Sequence, residues 1–163
     1  MSMHYCGGMS TPSRPARIGF LLTQLGSLAA ETFAARTREL GITPGEAGVM
    51  RILGRQPGMN QRELAEKLGV AQSRVVALID SLESAGLVTR ARSSADRRSQ
   101  ELQVTEPGRR ILADLRTVAE AQEAELAEGL SAAERRQLSA LLLRLAEARG
   151  LDADVHRGYA HGG

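Results

Sequence analysis

Residues 60–88 read NQRELAEKLGVAQSRVVALIDSLESAGLV, and this stretch decides the fold. Asn60 with Glu63 three residues later has the pattern of a capping box, which predicts the start of a helix. That helix ends at Gly69, and a second helix begins only a few residues later. The apolar residues of the second helix fall on one face, at Val75, Leu78, Ile79 and Leu82. Two helices joined by so short a turn predict a helix-turn-helix unit.

A β-hairpin is predicted directly after this unit. Gly86 ends the second helix, and two short strands follow at Leu87–Arg90 and Glu101–Val104. The loop between them, RARSSADRRSQ at 90–100, contains four arginines and one aspartate, hence a net charge of +3. A hairpin beside a candidate recognition helix makes the unit a winged helix-turn-helix, and arginines at its tip suit the narrow minor groove of DNA.

Further helices flank the unit. Apolar residues at helical spacing predict a long helix before it, and Thr105 and Ser131 are suited to cap two helices after it. The predicted fold class is mainly α with a small β-hairpin wing. The predicted divisions are a disordered segment at 1–15, a domain at 16–149 and a loose tail at 150–163. Within the domain, the winged helix-turn-helix spans about 43–104, and dimerisation helices span about 16–40 and 105–149.

Composition narrows the class of protein. Hydrophobic residues make up 42% and charged residues 25% of 163 residues, as in a globular protein of one domain. Aromatic residues make up only 2%, which counts against sheets that stack single-stranded bases. No apolar run approaches the ~20 residues of a membrane helix, and no signal peptide is recognisable, so we expect a cytoplasmic protein without a membrane partner.

Arginine dominates the positive charge. Lys67 is the only lysine among 21 basic residues, and arginine binds phosphates and guanine edges in a forked geometry that lysine lacks. A GC-rich genome explains the count equally well, but not the placement. Residues 90–98 carry a net charge of +3, whereas residues 111–129 carry five acids against one arginine, a net charge of −4. The basic part therefore lies in the middle of the chain.

A series of short motifs extends from the helix-turn-helix unit to the helix after the wing. They are Glu63-Leu64-Ala65, Leu68-Gly69-Val70, Ser73, Val75, Leu82-Glu83, Gly86-Leu87-Val88, Asp96-Arg97-Arg98 and Val104-Thr105-Glu106-Pro107-Gly108. These motifs resemble those of the MarR family of bacterial transcriptional regulators, over about residues 18–149. The resemblance implies an obligate homodimer on a pseudo-palindromic operator. It also implies repression of nearby genes, relieved when a small phenolic or anionic effector binds beneath the dimer helices.

Candidate DNA-binding residues lie at the start of the first helix of the unit, on the free face of the second helix and in the wing. Glutamine and arginine read adenine and guanine edges, and small apolar side chains meet thymine methyls. Taken alone, the helix face also fits a plain solvated surface. The candidates are Asn60, Gln61, Gln72, Ser73, Arg74, Val76, Ala77, Arg90, Arg92, Arg97 and Arg98.

Two features of these candidates modify the prediction. Asp96 is expected to pair with Arg98 and brace the tip of the wing, a contribution of about 0.2–1 kcal/mol for an exposed pair. Many members of the family carry a polar or basic residue at the middle of the recognition helix, where this sequence has Val76 and Ala77. Recognition of the DNA sequence is therefore expected to rely more on Gln72, Ser73, Arg74 and the wing.

Effector-binding residues are predicted less directly. Arg17, Arg36 and Arg51 are candidate anchors for a carboxylate, although each also fits a surface arginine. Some members of the family sense peroxides through a cysteine in the first helix. Cys6, the only cysteine, lies before that helix, which makes a redox-sensing regulator an alternative of lower weight.

Catalysis is not expected. The three histidines lie in the terminal segments, at His4, His156 and His161, and no nucleophile with a base, metal-ligand cluster or phosphate loop is recognisable. We therefore predict no catalytic residue, no metal and no cofactor. The alternative from another class is an architectural winged helix that binds double-stranded DNA without choosing its sequence.

Overall fold

The computed structural model describes residues 17–92 and 100–152. These ranges contain six helices and one two-stranded antiparallel sheet, so the mainly helical fold with a hairpin wing is confirmed. In chain order the elements are α1 Ile18–Glu39, α2 Pro44–Arg55, α3 Gln61–Leu68, α4 Gln72–Ser84, β1 Val88–Arg92, β2 Gln100–Val104, α5 Glu106–Leu126 and α6 Ala132–Glu147.

Capping boxes start three of the helices. At α2, Thr43 Oγ1 accepts a hydrogen bond from the Glu46 backbone N–H at 3.3 Å, and Glu46 Oε2 accepts one from the Thr43 N–H at 2.6 Å. Each pair satisfies two backbone groups that a helix end leaves without partners. The same reciprocal bonds start α3 and α6, at Asn60–Glu63 and Ser131–Glu134.

The hydrophobic core lies in the winged helix-turn-helix lobe formed by α2, α3, α4 and the two strands. The predicted apolar face of α4 is buried along its whole length. Its partners are aliphatic side chains, which suits a chain with few aromatic rings. The fully buried hydrophobic residues are Val49, Met50, Leu53, Leu64, Val75, Ile79, Leu82, Val88 and Leu102.

Gly69 makes the turn between α3 and α4. Its φ of 66° lies in the left-handed region, which glycine adopts without the steric cost that a Cβ brings. The backbone N–H of Val70 then donates to the Ala65 carbonyl at 3.2 Å and closes the end of α3. The chain thus reverses within a few residues, and α4 begins with only its apolar face against the core.

The strands of the wing extend further than the sequence indicated. β1 continues to Arg92 and β2 begins at Gln100, with these two residues paired in an antiparallel register. Arg92 therefore belongs to a strand, and its assignment to the loop was wrong, whereas Arg90, the last residue of the predicted first strand, lies within β1. The ladder continues because Gln100 and Glu101 offer backbone partners for Arg92 and Ala91.

The start of α5 is pressed against the turn between α4 and β1. Thr105 Oγ1 donates to the Gly86 carbonyl at 2.6 Å, and the Thr105 N–H donates to the Leu87 carbonyl at 3.1 Å. A Cβ built on Gly108 lies only 2.1 Å from that same Leu87 oxygen. Glycine is therefore required at this position for α5 to approach so closely.

The remaining helices pack far less completely. α1 contacts α5, where Gln122 Nε2 donates to the Ala29 carbonyl at 2.9 Å. None of the residues of α6 is buried. Large apolar side chains are exposed on α1 and α6: Ile18, Phe20, Leu21, Leu22, Leu25, Leu28, Leu138, Leu141, Leu142, Leu143 and Leu145.

α1 is the one helix in the described ranges that is long and apolar enough to span a membrane by length and composition. Its mean hydropathy reaches 1.2 over 18 residues, although no continuous apolar run approaches ~20 residues there. The helix also carries Arg36, which forms an ion pair with Glu125 of α5. α1 is thus integrated into the protein fold, where exposed leucines are equally suited to a second protein surface.

Replacing Gly108 with alanine is expected to destabilise the protein. The new Cβ meets the Leu87 carbonyl oxygen at 2.1 Å and Val104 Cγ1 at 2.8 Å, so backbone has to move. We expect the free energy of unfolding to fall by about 1–3 kcal/mol, the usual range for overpacking. Thermal unfolding at a fixed protomer concentration measures this.

Gly48→Ala is the matched control for this prediction. Gly48 lies within α2, and a Cβ there meets nothing within 4 Å. Alanine favours a helix interior over glycine by about 0.5–1 kcal/mol, so this variant should be as stable as the parent or more stable. Equal stability of the two variants contradicts the close packing at Gly108.

Candidate nucleic-acid interface

α4 presents one face to the core and the opposite face to solvent. Gln72, Ser73 and Ala77 are exposed on the outer face, whereas Arg74 and Val76 are half-buried. The residue before the helix, Ala71, provides no side-chain cap, so the positive end of the helix dipole is not covered by its own N-cap. A helix held by one face in this way can enter a major groove with the other.

An open groove joins the outer face of α4 to α3 and the wing. Its volume is about 350 Å³, and six of the seven described residues that line it are polar. The groove brings together four of the predicted DNA-binding residues from three elements, although they lie up to thirty positions apart (Asn60 to Arg90) in the chain. The lining residues are Asn60, Gln61, Arg62, Gln72, Arg90, Gln100 and Leu102.

Arg90 is turned toward α4 and is not directed into open solvent. Its side chain is only 20% exposed and forms ion pairs with Asp80 and Glu83. Its backbone N–H donates to Glu83 Oε1 at 3.3 Å. The hydrogen bond to Asp80, together with the charges of both carboxylates, raises the pKa of Arg90 above its ordinary value although burial opposes this.

Strand periodicity could have revealed this orientation. Val88 is buried, and residues two apart in a strand share a face, so Arg90 follows Val88 toward the protein. The predicted first strand already included Arg90, but its side chain was assigned to a DNA contact. Sequence reasoning also missed the partners on α4, because the outer face of that helix was interpreted as a DNA surface or as a plain solvated surface.

The outer wing is described only in part. Arg92 is exposed at the end of β1. Asp96, Arg97 and Arg98 lie outside the described residues, as does Cys6. Their predicted roles in DNA binding, wing bracing and redox sensing therefore stay predictions.

A second site lies between α1, α2 and α5. It is a cavity of about 290 Å³, close to the ~300–1,000 Å³ of ligand pockets. Apolar side chains and three arginines form its walls, and no acidic residue is among the described residues that line it. The lining consists of Phe33, Ala47, Gly48, Arg51, Gly54, Arg55, Leu112, Leu115, Arg116 and Ala119.

Of the three predicted effector anchors, only Arg51 lines this cavity. Arg36 forms an ion pair with Glu125, and Arg17 is exposed just before α1. Sequence reasoning missed Arg55 and Arg116. Arg55 follows Arg51 by four residues and so shares its helix face, whereas Arg116 comes close only because α5 packs across α2.

Catalytic and metal-binding arrangements are not found in the part of the chain that the structure describes. No group of three histidine, cysteine, aspartate or glutamate side chains there could hold a metal ion. The exposed carboxylates of Asp80 and Glu83 have Arg90 as their partner. The geometry is that of a binding surface and a separate cavity.

The projecting helix and the arginine-bearing ribbon beside it define a winged helix-turn-helix DNA-binding protein. A family model described as "MarR family" matches residues 40–99, from the end of α1 to the residue before β2. A proposed transcriptional regulatory protein for the hcr operon of Thauera aromatica is 36% identical over 135 residues, which cover 82% of this chain and 81% of the relative. The chain belongs to the MarR family of transcriptional regulators, which are DNA-binding and non-enzymatic.

Solved structures of relatives contain DNA and small ligands. The transcriptional repressor CouR bound to a 23-mer DNA duplex is 34% identical, with a TM-score of 0.69 over 80% of this chain and 92% of that chain. CouR from Rhodococcus jostii RHA1 bound to p-coumaroyl-CoA is 30% identical in that structure, with a TM-score of 0.67 over 82% and 96%.

A MarR family protein from Mycobacterium tuberculosis has been solved in complex with salicylic acid. It is 28% identical, with a TM-score of 0.64 over 82% of this chain and 98% of that chain. DNA binding and the capacity to bind small molecules thus both occur among the relatives of this chain.

Substitutions at Asn60 can separate a capping role from a DNA contact. Asn60 Oδ1 accepts the Glu63 N–H at 3.0 Å, and Asn60 also lines the groove. Asn60→Ala should lower the free energy of unfolding by about 0.5–2 kcal/mol, because the cap is removed. Asn60→Ser keeps a capping oxygen without an amide, so it should unfold like the parent yet bind DNA more weakly. Thermal unfolding and fluorescence anisotropy measure the two effects, and unchanged DNA affinity in Asn60→Ser would limit Asn60 to its role as a cap.

Proposed function

We propose that this protein is a homodimeric repressor that holds a pseudo-palindromic operator and leaves it when a small aromatic anion binds. The observation that carries the proposal is the arginine-lined cavity between α2 of the DNA-binding lobe and α5. A ligand there touches both the lobe and the long helix that supports it. As a regulator of transcription, the protein acts where the chromosome is, in the cytoplasm.

The exposed apolar faces support the homodimer. Ile18 and Phe20 at the start of α1 are 70% and 60% exposed, and five leucines of α6 are exposed. An apolar surface of this extent marks a protein interface. A second copy of the same chain offers the same faces, and two-fold pairing is the commonest solution among oligomers. α1, α5 and α6 are the proposed dimerisation helices.

Two-fold symmetry then sets the form of the operator. Two copies of α4 enter successive major grooves, about one helical turn of DNA apart, so the half-sites are inverted repeats. Gln72 and Ser73 are the exposed polar residues of the first turn and are assigned to base edges, with Arg74 beside them. Val76 and Ala77 contact methyl groups, and Arg92, Arg97 and Arg98 of the wing bind phosphates or the minor groove.

The chemistry of the cavity suits an aromatic anion. Phe33, Leu112 and Leu115 supply apolar walls for a ring, and Arg51, Arg55 and Arg116 supply positive charge. Arginine binds carboxylate and phosphate groups through paired hydrogen bonds. Salicylic acid and p-coumaroyl-CoA, which relatives bind, both combine an aromatic ring with negative charge.

One observation favours a second candidate, an architectural protein that binds DNA without choosing its sequence. Val76 and Ala77 occupy the centre of the outer face of α4 and carry no hydrogen-bonding side chain. Discrimination between DNA sequences by that turn is therefore weak. The ratio of the affinity for the operator to the affinity for random duplex separates the two candidates. A repressor prefers its site over random duplex by ~10³ or more.

Fluorescence anisotropy on duplexes tiled across the DNA upstream of the gene tests the proposal. Random duplex competes in each titration at one fixed salt concentration, because affinity for DNA depends steeply on salt. One duplex bound far more tightly than the others, by two protomers, supports a sequence-specific dimer. Uniform weak binding to every duplex supports the architectural candidate instead.

Removing charge from the wing should change the salt dependence of binding. Arg97→Ala is expected to lower the slope of log affinity against log salt by about one unit for each phosphate that the arginine no longer neutralises. Arg98→Ala should weaken binding through disorder of the tip, and Asp96→Ala should then have the same effect. Tighter DNA binding by Asp96→Ala would show that the predicted Asp96–Arg98 brace is absent.

Substitutions in the cavity should weaken the response to ligand. Arg51→Gln and Arg116→Gln each remove a charged donor, worth about 1.5–3 kcal/mol for a bond to a charged group. The concentration of salicylate or p-coumaroyl-CoA that releases half of the DNA should therefore rise about tenfold or more. DNA affinity without ligand should stay at the parent value. Anisotropy titrations of the preformed complex measure both quantities.

Arg38→Gln is the matched control for the cavity variants. Arg38 is exposed in the last turn of α1 and is not part of the cavity lining. Its removal changes the net charge by the same amount and should leave ligand release unchanged. If Arg38→Gln raises the ligand concentration for half-release of DNA as much as the cavity variants do, overall charge and not the cavity governs the release of DNA. If neither salicylate nor p-coumaroyl-CoA releases DNA, the proposal of an aromatic anion as effector is wrong, whereas the proposal of DNA binding is unaffected.

A further inference from the structure

The wing and the recognition helix are joined by a single arginine. Arg90 Nη2 pairs with Asp80 and Arg90 Nη1 pairs with Glu83, so both carboxylates of α4 converge on one strand residue. With the amide of Gln61 oriented so that its oxygen faces Arg90, that oxygen accepts from Nη2 and Nε at 2.9 and 3.0 Å. All three guanidinium nitrogens are then engaged, and β1, α4 and α3 are held together.

The surroundings make this contact firmer than an ordinary surface ion pair. The Arg90 side chain is 20% exposed, against 58% for Asp80 and 40% for Glu83. Most of the arginine side chain is therefore covered by protein, whereas the two carboxylates are more open to solvent. Holding one arginine in a forked geometry with several partners also costs less side-chain entropy per bond than an isolated flexible pair does.

A two-stranded ribbon needs such an anchor. A hairpin of two strands has little stability of its own in water, and its direction follows from what its base is packed against. Val88 and Leu102 bury the base of the ribbon in the core. Arg90 is one pleat further out, on the same face as Val88, where apolar packing ends. Arg90 thus attaches the wing to α4 at a point beyond the hydrophobic core.

A phosphate contact is the competing role for Arg90, and the geometry disfavours it. The guanidinium already faces two carboxylates, whose charges sum to −2 against its +1. A phosphate approaching the same group meets Asp80 and Glu83 as well, and like charges repel. Arg92, two residues further along β1, is exposed and better placed to meet DNA.

We infer that Arg90 is a positioning residue. It clamps the wing to the recognition helix through Asp80 and Glu83, so that α4 and the ribbon meet the duplex at one set angle. The inference replaces a direct DNA contact for Arg90 and rests on the DNA binding of the family, not on the identity of any effector or operator. Its consequence is that two acidic residues on the DNA-facing side strengthen DNA binding.

The test compares three proteins on the duplex that the parent binds most tightly, or on random duplex at low salt. Arg90→Met removes the clamp from the strand. The double variant Asp80→Asn with Glu83→Gln removes it from the helix and makes each protomer more positive by two charges. The third protein combines all three substitutions, which completes a double-mutant cycle.

We expect both Arg90→Met and the carboxylate variant to bind DNA about tenfold more weakly. The combined variant should bind little more weakly than either one alone, because all three disrupt the same clamp. Arg90→Lys should recover part of the affinity, since one ammonium can reach one carboxylate. Stronger binding by the carboxylate variant overturns the inference, because added positive charge then outweighs positioning. Unchanged affinity in Arg90→Met, or additive losses, overturns it equally.

Hydrogen exchange supplies a readout that a loss of global stability does not imitate. In Arg90→Met and in the carboxylate variant, backbone amides of β1 and β2 should exchange faster, while those of α2 keep the parent rate. Faster exchange throughout the protein indicates general destabilisation and overturns the local clamp. Weaker DNA binding with unchanged exchange in the wing identifies Arg90 as a direct phosphate contact. Arg38→Met is a matched control, because Arg38 is exposed in the last turn of α1 and does not line the groove.

Discussion

The contact between the start of α5 and the turn after α4 is the constraint on which the rest of the structure depends. Gly108 lies so close to the Leu87 carbonyl that no side chain fits, and Thr105 bonds to both Gly86 and Leu87. The end of the recognition helix, the root of the wing and the first turn of α5 thus meet at one point. α5 is therefore attached to the DNA-binding elements directly, without an intervening loop.

The two parts of the chain differ in how they are stabilised. The lobe of α2, α3, α4 and the strands buries its own aliphatic core, whereas α6 has no buried residue. α5 belongs to both parts, since Leu115 is in the core and Leu126 is exposed. In the proposed dimer, the distance between the two recognition helices is set by surfaces outside the lobe. The cavity beside Arg51 and Arg116 lies at the border between these two parts.

Sequence reasoning succeeded where the signal is local. Capping pairs such as Asn60–Glu63, the apolar stripe of α4 and Gly69 each act through neighbours within a few residues, so the helices could be predicted closely. It failed where contacts join distant elements. The ion pair of Arg90 with Glu83 depends on how β1 packs against α4. Arg116 and Arg51 line the same cavity only because α5 packs across α2. The length of the wing strands was also missed, because backbone pairing and not side-chain polarity sustains them.

The near absence of lysine decides which positive groups the protein presents. Lys67 is the only lysine, and no histidine occurs at 17–92 or 100–152. The positive charges that line the groove and the cavity therefore come from guanidinium groups alone. Neither lining contains histidine, the side chain through which proteins most often sense pH near neutrality.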